Sequence, residues 1–229
     1  MATGKKDWRK YYDRHRGLQD GPTPGGGNGE KKYGQPNTPQ MRPPAPTIRG
    51  QIGDKREPQS PLEAMRGVNP DINAVDSMEY EDYRANCQRC VIAYELNRRG
   101  YNVEAEATSS DDTYPWGGRW KTAFKGAKTE GVGANTNEKV NDNIKDKMSI
   151  WGNNSRAIVE VHSGRTGHVF NVEYRNGKLY YYDAQHNVRY DPARVFDHVI
   201  KSDVKITRVD NLDIAPNVKD LVRKSRKGR

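Results

Sequence analysis

The chain has 229 residues, a formal net charge of +9 and a hydrophobic fraction of 33%. That is enough chain for one ordinary domain with tails, but too little apolar material for a single globule, so part of it is expected to be disordered. The charged N-terminus lacks the apolar segment of a signal peptide, no apolar run reaches the ~20 residues of a membrane-spanning helix, and two cysteines make no disulfide framework.

Charge is unevenly placed. Residues 1–60 carry 12 Lys/Arg against 6 Asp/Glu, residues 219–229 carry 6 against 1, and the stretch between carries 21 against 23. The basicity therefore belongs to the two ends. Such ends suit nucleic acid or another polyanion, bound by counterion release, or act only as solubilising tails.

In chain order, a short helix is expected around Trp8–Arg16, followed by a linker to about residue 61. Nine of the 13 prolines fall at or before Pro61, and stretches such as "GPTPGGGNGE" build neither helix nor central strand. "PLEAMRGVNP" predicts a short helix stopped by Gly67 and Pro70. The clearest helix spans Cys87 to about Arg99, with Asn86 as N-cap and Gly100 as its stop. Cys87, Cys90, Val91 and Tyr94 recur at i, i+3, i+4 and i+7, which predicts one apolar face. "YNVEAEA" reads as a strand, and "TYPWGGRWKTAF" as a structured loop. Val140, Ile144, Met148 and Trp151 mark a second amphipathic helix. "AIVEVHS", "GHVFNVEYR" and "KLYYYDAQ" predict antiparallel strands. Asp191-Pro192 is expected to open another helix with Val195, Phe196, Val199 and Ile200 inside, and "VKITRVD" to form a last strand. The fold class is α+β.

The Asn176-Gly177 dipeptide is a strong two-residue hairpin signal. It pairs Arg175 with Lys178, Tyr174 with Leu179 and Val172 with Tyr181. Alternation then puts His168, Phe170, Val172, Leu179, Tyr181, Asp183 and Gln185 on one face, with His168 and Asp183 as diagonal neighbours. A buried carboxylate needs a partner, and an imidazole oriented by a carboxylate is suited to general-base work. Cys87, opening a helix at its positive end, is placed to act as the nucleophile.

Bland alternatives stand beside this reading. Cys90, one turn further on, reads as core, although it could exchange roles with Cys87. A zinc half-site at Cys87 and Cys90 lacks a second ligand pair of suitable spacing. A redox pair lacks the preceding strand. His162 is an alternative base, while His186 and His198 read as ordinary exposed residues. Trp116, Trp120, Tyr180 and Tyr182 read as core or cleft wall.

"NCQRCVIAYELNRRGYNVEAEA", "WGNNSRAIVEV", "GHVFNVEYRNGKLYYYDAQ" and "GVNP" together resemble the papain-fold toxin family, the predicted glutamine deamidase domains of bacterial polymorphic toxins, which also occur in phage and mobile-element proteins. The resemblance spans roughly residues 62–212. It implies a papain-like cysteine-enzyme fold, with Cys87 as nucleophile, His168 as base and Asp183 as orienting carboxylate. Gln185, Asn86 and Gln88 are implied as supporting, oxyanion or substrate-binding residues. Where the family often has Pro between the Asp and the Gln, this chain has Ala184. Composition and charge, taken with the resemblance, give the expected organisation: a disordered basic region over 1–61, a catalytic domain over 62–218 and a basic tail over 219–229. The implied activity is cysteine-dependent deamidation of protein glutamine side chains, with peptidase or transglutaminase chemistry as variants, and with no metal or cofactor. Implied partners are a protein substrate and an immunity protein or phage structural partner, beside the nucleic acid or other polyanion that the charge of the ends suits, with no membrane. A phage or mobile-element structural protein with a degenerate papain fold is the competing reading. The expected location is the cytoplasm, or delivery as a toxin effector or virion-associated protein.

Overall fold

Alternating apolar residues over 156–183 build the sheet around which the described part of the chain is organised. The computed structural model describes residues 52–72, 83–108, 118–164 and 166–226. The elements run α1 (Pro61–Met65), α2 (Cys87–Arg98), β1 (Val103–Ala105), β2 (Thr129–Gly131), α3 (Asn137–Trp151), β3 (Arg156–Ser163), β4 (Thr166–Arg175), β5 (Lys178–Asp183), β6 (Val188–Tyr190), β7 (Lys205–Arg208) and β8 (Val222–Lys224). Six strands form one antiparallel sheet in the order β2-β7-β3-β4-β5-β6, while β1 and β8 form a separate pair.

The hairpin register is the expected one. Arg175 pairs with Lys178, Tyr174 with Leu179 and Val172 with Tyr181. Asn176 and Gly177 both take positive φ, 49° and 77°, as a two-residue turn matched to strand twist requires. Period-two alternation then divides the residues into two cores. Ala157, Val159, Phe170, Val172 and Tyr181 lie on the face shared with Val140, Ile144 and Met148 of α3. Ile158, Val169, Tyr182 and Ala184 lie with α2 on the other face.

Helix α2 differs from the expected amphipathic helix. Its residues from Arg89 to Asn97 are all buried, because α1, β1 and β4 surround it. Its polar side chains survive burial by finding partners. Asn97 donates to the carbonyls of Ala64 and Val103 and accepts from the Val103 N–H. Glu95 meets Arg99 at 2.7 Å and Arg156 at 2.8 Å. Glu173 on β4 accepts from Tyr94 Oη at 2.7 Å and Arg98 Nε at 2.6 Å.

The helix expected after Asp191-Pro192 does not form. Residues 192–198 make successive turns in which Phe196 alone is buried. The turns seat the Phe196 ring in the α3-side core and pack Val195 and Val199 against it, so the segment is anchored without a helix. The folded unit also reaches beyond residues 62–218. Ile52 is buried, and the Arg56 N–H bonds to the Gly100 carbonyl at 2.7 Å. Gly100 has φ +97°, and a Cβ there would lie 2.0 Å from the Arg56 oxygen, so this close approach needs glycine. At the other end β8 pairs with β1. Arg223 and Arg226 bind Asp71 at 2.7 and 2.8 Å, and Arg226 also binds Glu104 at 3.0 Å. Much of the supposed basic tail therefore closes the fold. The expected helix at Trp8–Arg16, most of the linker up to residue 61, Trp116 and residues 227–229 lie outside the described residues.

Glu95 has a side-chain exposure of 0% and faces two arginines. Removing one member of a buried ion pair leaves the other charge uncompensated. Replacing Glu95 with alanine is expected to lower the unfolding free energy by about 3–5 kcal/mol, read from the midpoint and slope of urea denaturation.

Candidate active site

Three elements converge on one point: the start of α2, the start of β4 and the end of β5. Cys87 occupies the first position of α2 and is half-buried. The thiol lies within hydrogen-bonding reach of His168. On the other side, His168 Nε2 donates to Asp183 Oδ2 at 2.9 Å. With Nε2 committed to the carboxylate, Nδ1 is the ring nitrogen left for the thiol. The structure thus brings Cys87, His168 and Asp183 together in a chain of contacts.

Asp183 is 1% exposed. Burial alone would raise its pKa, but the carboxylate also accepts from His186 Nδ1 at 2.8 Å and from Tyr190 Oη at 2.5 Å. The backbone N–H groups of Gln185 and His186 add bonds at 3.0 and 3.3 Å. Together these donors hold the carboxyl far below the usual carboxylate range. Burial opposes charge on His168 as well. Asp183 and Cys87 outweigh it and push the imidazole pKa up to about 10.

Tyr190 and His186 were missed by sequence reasoning. His186 looked like an ordinary exposed residue, and its side chain is indeed half exposed. Its position three residues after Asp183 in a tight turn was the available signal. Tyr190 sits on the short strand β6, opposite Tyr181, and no motif marked it. His162 bonds Asp203 at 2.8 Å.

The remaining expected residues separate into two places. Asn86 stands at the N-cap position of α2 but makes no side-chain cap bond. Its amide forms a reciprocal pair with Asn69, both contacts at 3.1 Å, and it donates to the Glu106 carbonyl. Asn86 Oδ1 also receives the Cys90 thiol at 3.2 Å. Burial pushes the Cys90 thiol well above its ordinary pKa. Gln185 joins the same network, donating to the Arg84 carbonyl at 2.8 Å, while its own carbonyl accepts from Asn69 at 3.2 Å. Asn86 and Gln185 are therefore bound into buried scaffold. Gln88 lies on another side of α2, where its Oε1 accepts the Trp120 N–H at 3.3 Å. Asn69, within "GVNP", is the hub that sequence reasoning noted without assigning a role.

Among the described residues, one group offers three metal-ligand atoms within 4.8 Å of each other: His168, Asp183 and His186. Neither cysteine belongs to it. Both imidazoles already meet the same Asp183 oxygen at hydrogen-bond distance, so ring protons account for the cluster. No helix among the described residues is long and apolar enough to cross a membrane.

Residues 85–187 match the model of a family described as papain fold toxin 1, glutamine deamidase. The match contains Cys87, His168, Asp183 and Gln185 and stops short of Tyr190. The family resemblance carried by the sequence motifs is borne out over this segment, and the α+β arrangement is the papain-like fold. Neither the curated proteins nor the solved structures give a match.

A histidine whose folded pKa stands above its unfolded value binds a proton more tightly once folded. Its stabilisation is full below the unfolded value, about 6.5, and is lost as pH rises through the folded one. Wild-type stability should therefore fall between pH 6.5 and about 10, and His168→Gln should flatten that fall. Urea denaturation across this pH range checks it; parallel curves would mean that the imidazole is not held charged.

Proposed function

With the family match over residues 85–187 as the premise, we propose that this chain is a cysteine amidohydrolase that deamidates glutamine side chains of a protein target. The observation that carries the reading is His168, bonded to a buried Asp183 at 2.9 Å and within reach of Cys87. The Cys87 sulfur attacks the carboxamide carbon while its proton resides on His168. The tetrahedral oxyanion draws on backbone N–H groups at the first turn of α2. His168 hands its proton to the departing nitrogen, ammonia leaves, and a thioester to Cys87 remains. Water then attacks the thioester as His168 accepts its proton. The sulfur leaves and is reprotonated, and the side chain is now glutamate.

Asp183 holds the His168 ring in one orientation and stabilises its protonated form. His186 and Tyr190 fix the carboxylate in turn, and Asn86, Asn69 and Gln185 hold the start of α2 against the 184–187 turn. Gln88 ties the first turn of α2 to the backbone at Trp120. Cys90 supports Cys87 as the nucleophile by being buried and engaged as a donor to Asn86. The reading as a nucleic-acid-binding protein receives less support at the C-terminus, where Arg223 and Arg226 already face Asp71 and Glu104.

Ammonia release from glutamine-containing peptides and unfolded proteins tests the proposal, with product glutamate located by mass spectrometry. Cys87→Ala and His168→Ala are each expected to lose turnover by on the order of 10³-fold or more, and Cys90→Ala to keep it. Turnover that survives in Cys87→Ala would sink the reading. Alkylation by iodoacetamide should modify Cys87 and spare Cys90, with His168→Ala slowing the Cys87 reaction.

A further inference from the structure

The Asp183 carboxylate receives more donors than it has places for. An ionised carboxylate offers about four lone-pair directions, shared between its two oxygens. Oδ1 meets the backbone N–H groups of Gln185 and His186. Oδ2 meets three side chains: His168 at 2.9 Å, His186 at 2.8 Å and Tyr190 at 2.5 Å. His168 therefore shares its acceptor with two competitors. Tyr190 does not depend on that bond for its position. It pairs with Tyr181 in the sheet, and its ring packs edge-on against the buried Phe170 at 5.4 Å and 79°. Burial and Asp183 both push the Tyr190 hydroxyl above its ordinary pKa, so it remains a neutral donor.

Each donor to a carboxylate stabilises its charge and weakens its hold on any other proton nearby. On His168 the proton is held by Asp183 and by Cys87. β3 brings Val161 opposite His168 and β4 brings Phe170 beside it, and neither carries charge. Cys90 of α2 lies within the field of Asp183, but burial keeps it a neutral thiol. Once the Cys87 sulfur is acylated, its share is gone, and Asp183 decides how firmly the ring stays protonated. Hydrolysis of the thioester needs the ring unprotonated, because it must take a proton from the attacking water. An Asp183 whose Oδ2 served His168 alone would hold the ring in its charged form at that step. We propose that Tyr190 is a positioning residue that competes with His168 for Asp183 Oδ2 and so frees the imidazole to act as base in thioester hydrolysis. His186 acts in the same sense. This rests on the thioester proposed above. Removing the Tyr190 hydroxyl therefore leaves His168 more strongly protonated, not less.

The full-length protein carrying Cys87→Ala reproduces the loss of the sulfur's charge. In that background the His168 ring resonances, assigned by their loss in His168→Gln, are titrated by NMR with and without Tyr190→Phe. The tyrosine substitution is expected to raise the His168 midpoint by roughly one pH unit. His186→Leu, at a half-exposed position, takes another donor from the same oxygen and is expected to move the midpoint the same way; should Tyr190→Phe fail to fold, this variant decides. With Cys87 intact, p-nitrophenyl acetate acylates the thiol without needing a carboxamide, and intact-mass spectrometry follows loss of the acetyl group. Tyr190→Phe is expected to slow that loss ~3–10-fold on the acid side of the pH profile and to recover as pH rises, a rescue that a merely loosened site would not show. Midpoints that coincide or move down, or a deacylation deficit that is the same at every pH, overturn the role of Tyr190. Raised midpoints with no turnover of glutamine would sustain it and remove the deamidase reading. Glutamine hydrolysis with coincident midpoints would do the reverse.

Discussion

A carboxylate sealed inside a protein must be surrounded by donors or surrender its charge. Asp183 meets that constraint from three directions at once. The β4–β5 pairing brings His168 to it, the turn after β5 supplies two backbone N–H groups and His186, and β6 returns Tyr190. The start of β4, the 184–187 turn and the short β6 are thus coupled through one anion. The same coupling sets the imidazole's charge and orientation, so the chemistry and the local fold depend on the same contacts.

The other half of the site rests on amides. Asn69 and Asn86 pair reciprocally, and Asn69 also reaches the carbonyls of Tyr83 and Gln185. Amides give both donors and acceptors, so a small buried network can be satisfied without any net charge. It joins the segment before α2 to the turn after β5, and hence the nucleophile's element to the base's. The C-terminal strand braces this junction from outside. Arg223 bonds Tyr83 Oη at 2.9 Å as well as Asp71 and Glu104. Basic residues that look like a free tail in the sequence are, in the fold, counter-charges for acidic residues flanking the site.

What was readable in the sequence was local. The Asn176-Gly177 turn fixes a register, and period-two alternation converts that register into a shared face, so His168 and Asp183 could be paired before any coordinates. The i, i+3, i+4 spacing in α2 gave the helix but misjudged its surroundings. Arg89, Glu95 and Asn97 look solvent-facing until partners distant in sequence, including Asp220 and Arg156, supply their bonds. The 191–200 segment failed for a related reason. Its apolar spacing fits a helix, yet a run of turns seats Phe196 in the core and packs Val195 and Val199 against it.

By itself the sequence determined the β4–β5 pairing, the helix that begins at Cys87, the diagonal His168–Asp183 pair and the family pattern. These follow from interactions between residues close in the chain, or from alternation propagated from one turn. Tertiary structure alone decided that His186 and Tyr190 share the Asp183 oxygen, that Asn86 braces instead of capping, and that Cys90 is sealed. Burial and the closure of hydrogen bonds between distant segments decide such matters, and neither is visible until the chain has folded back on itself.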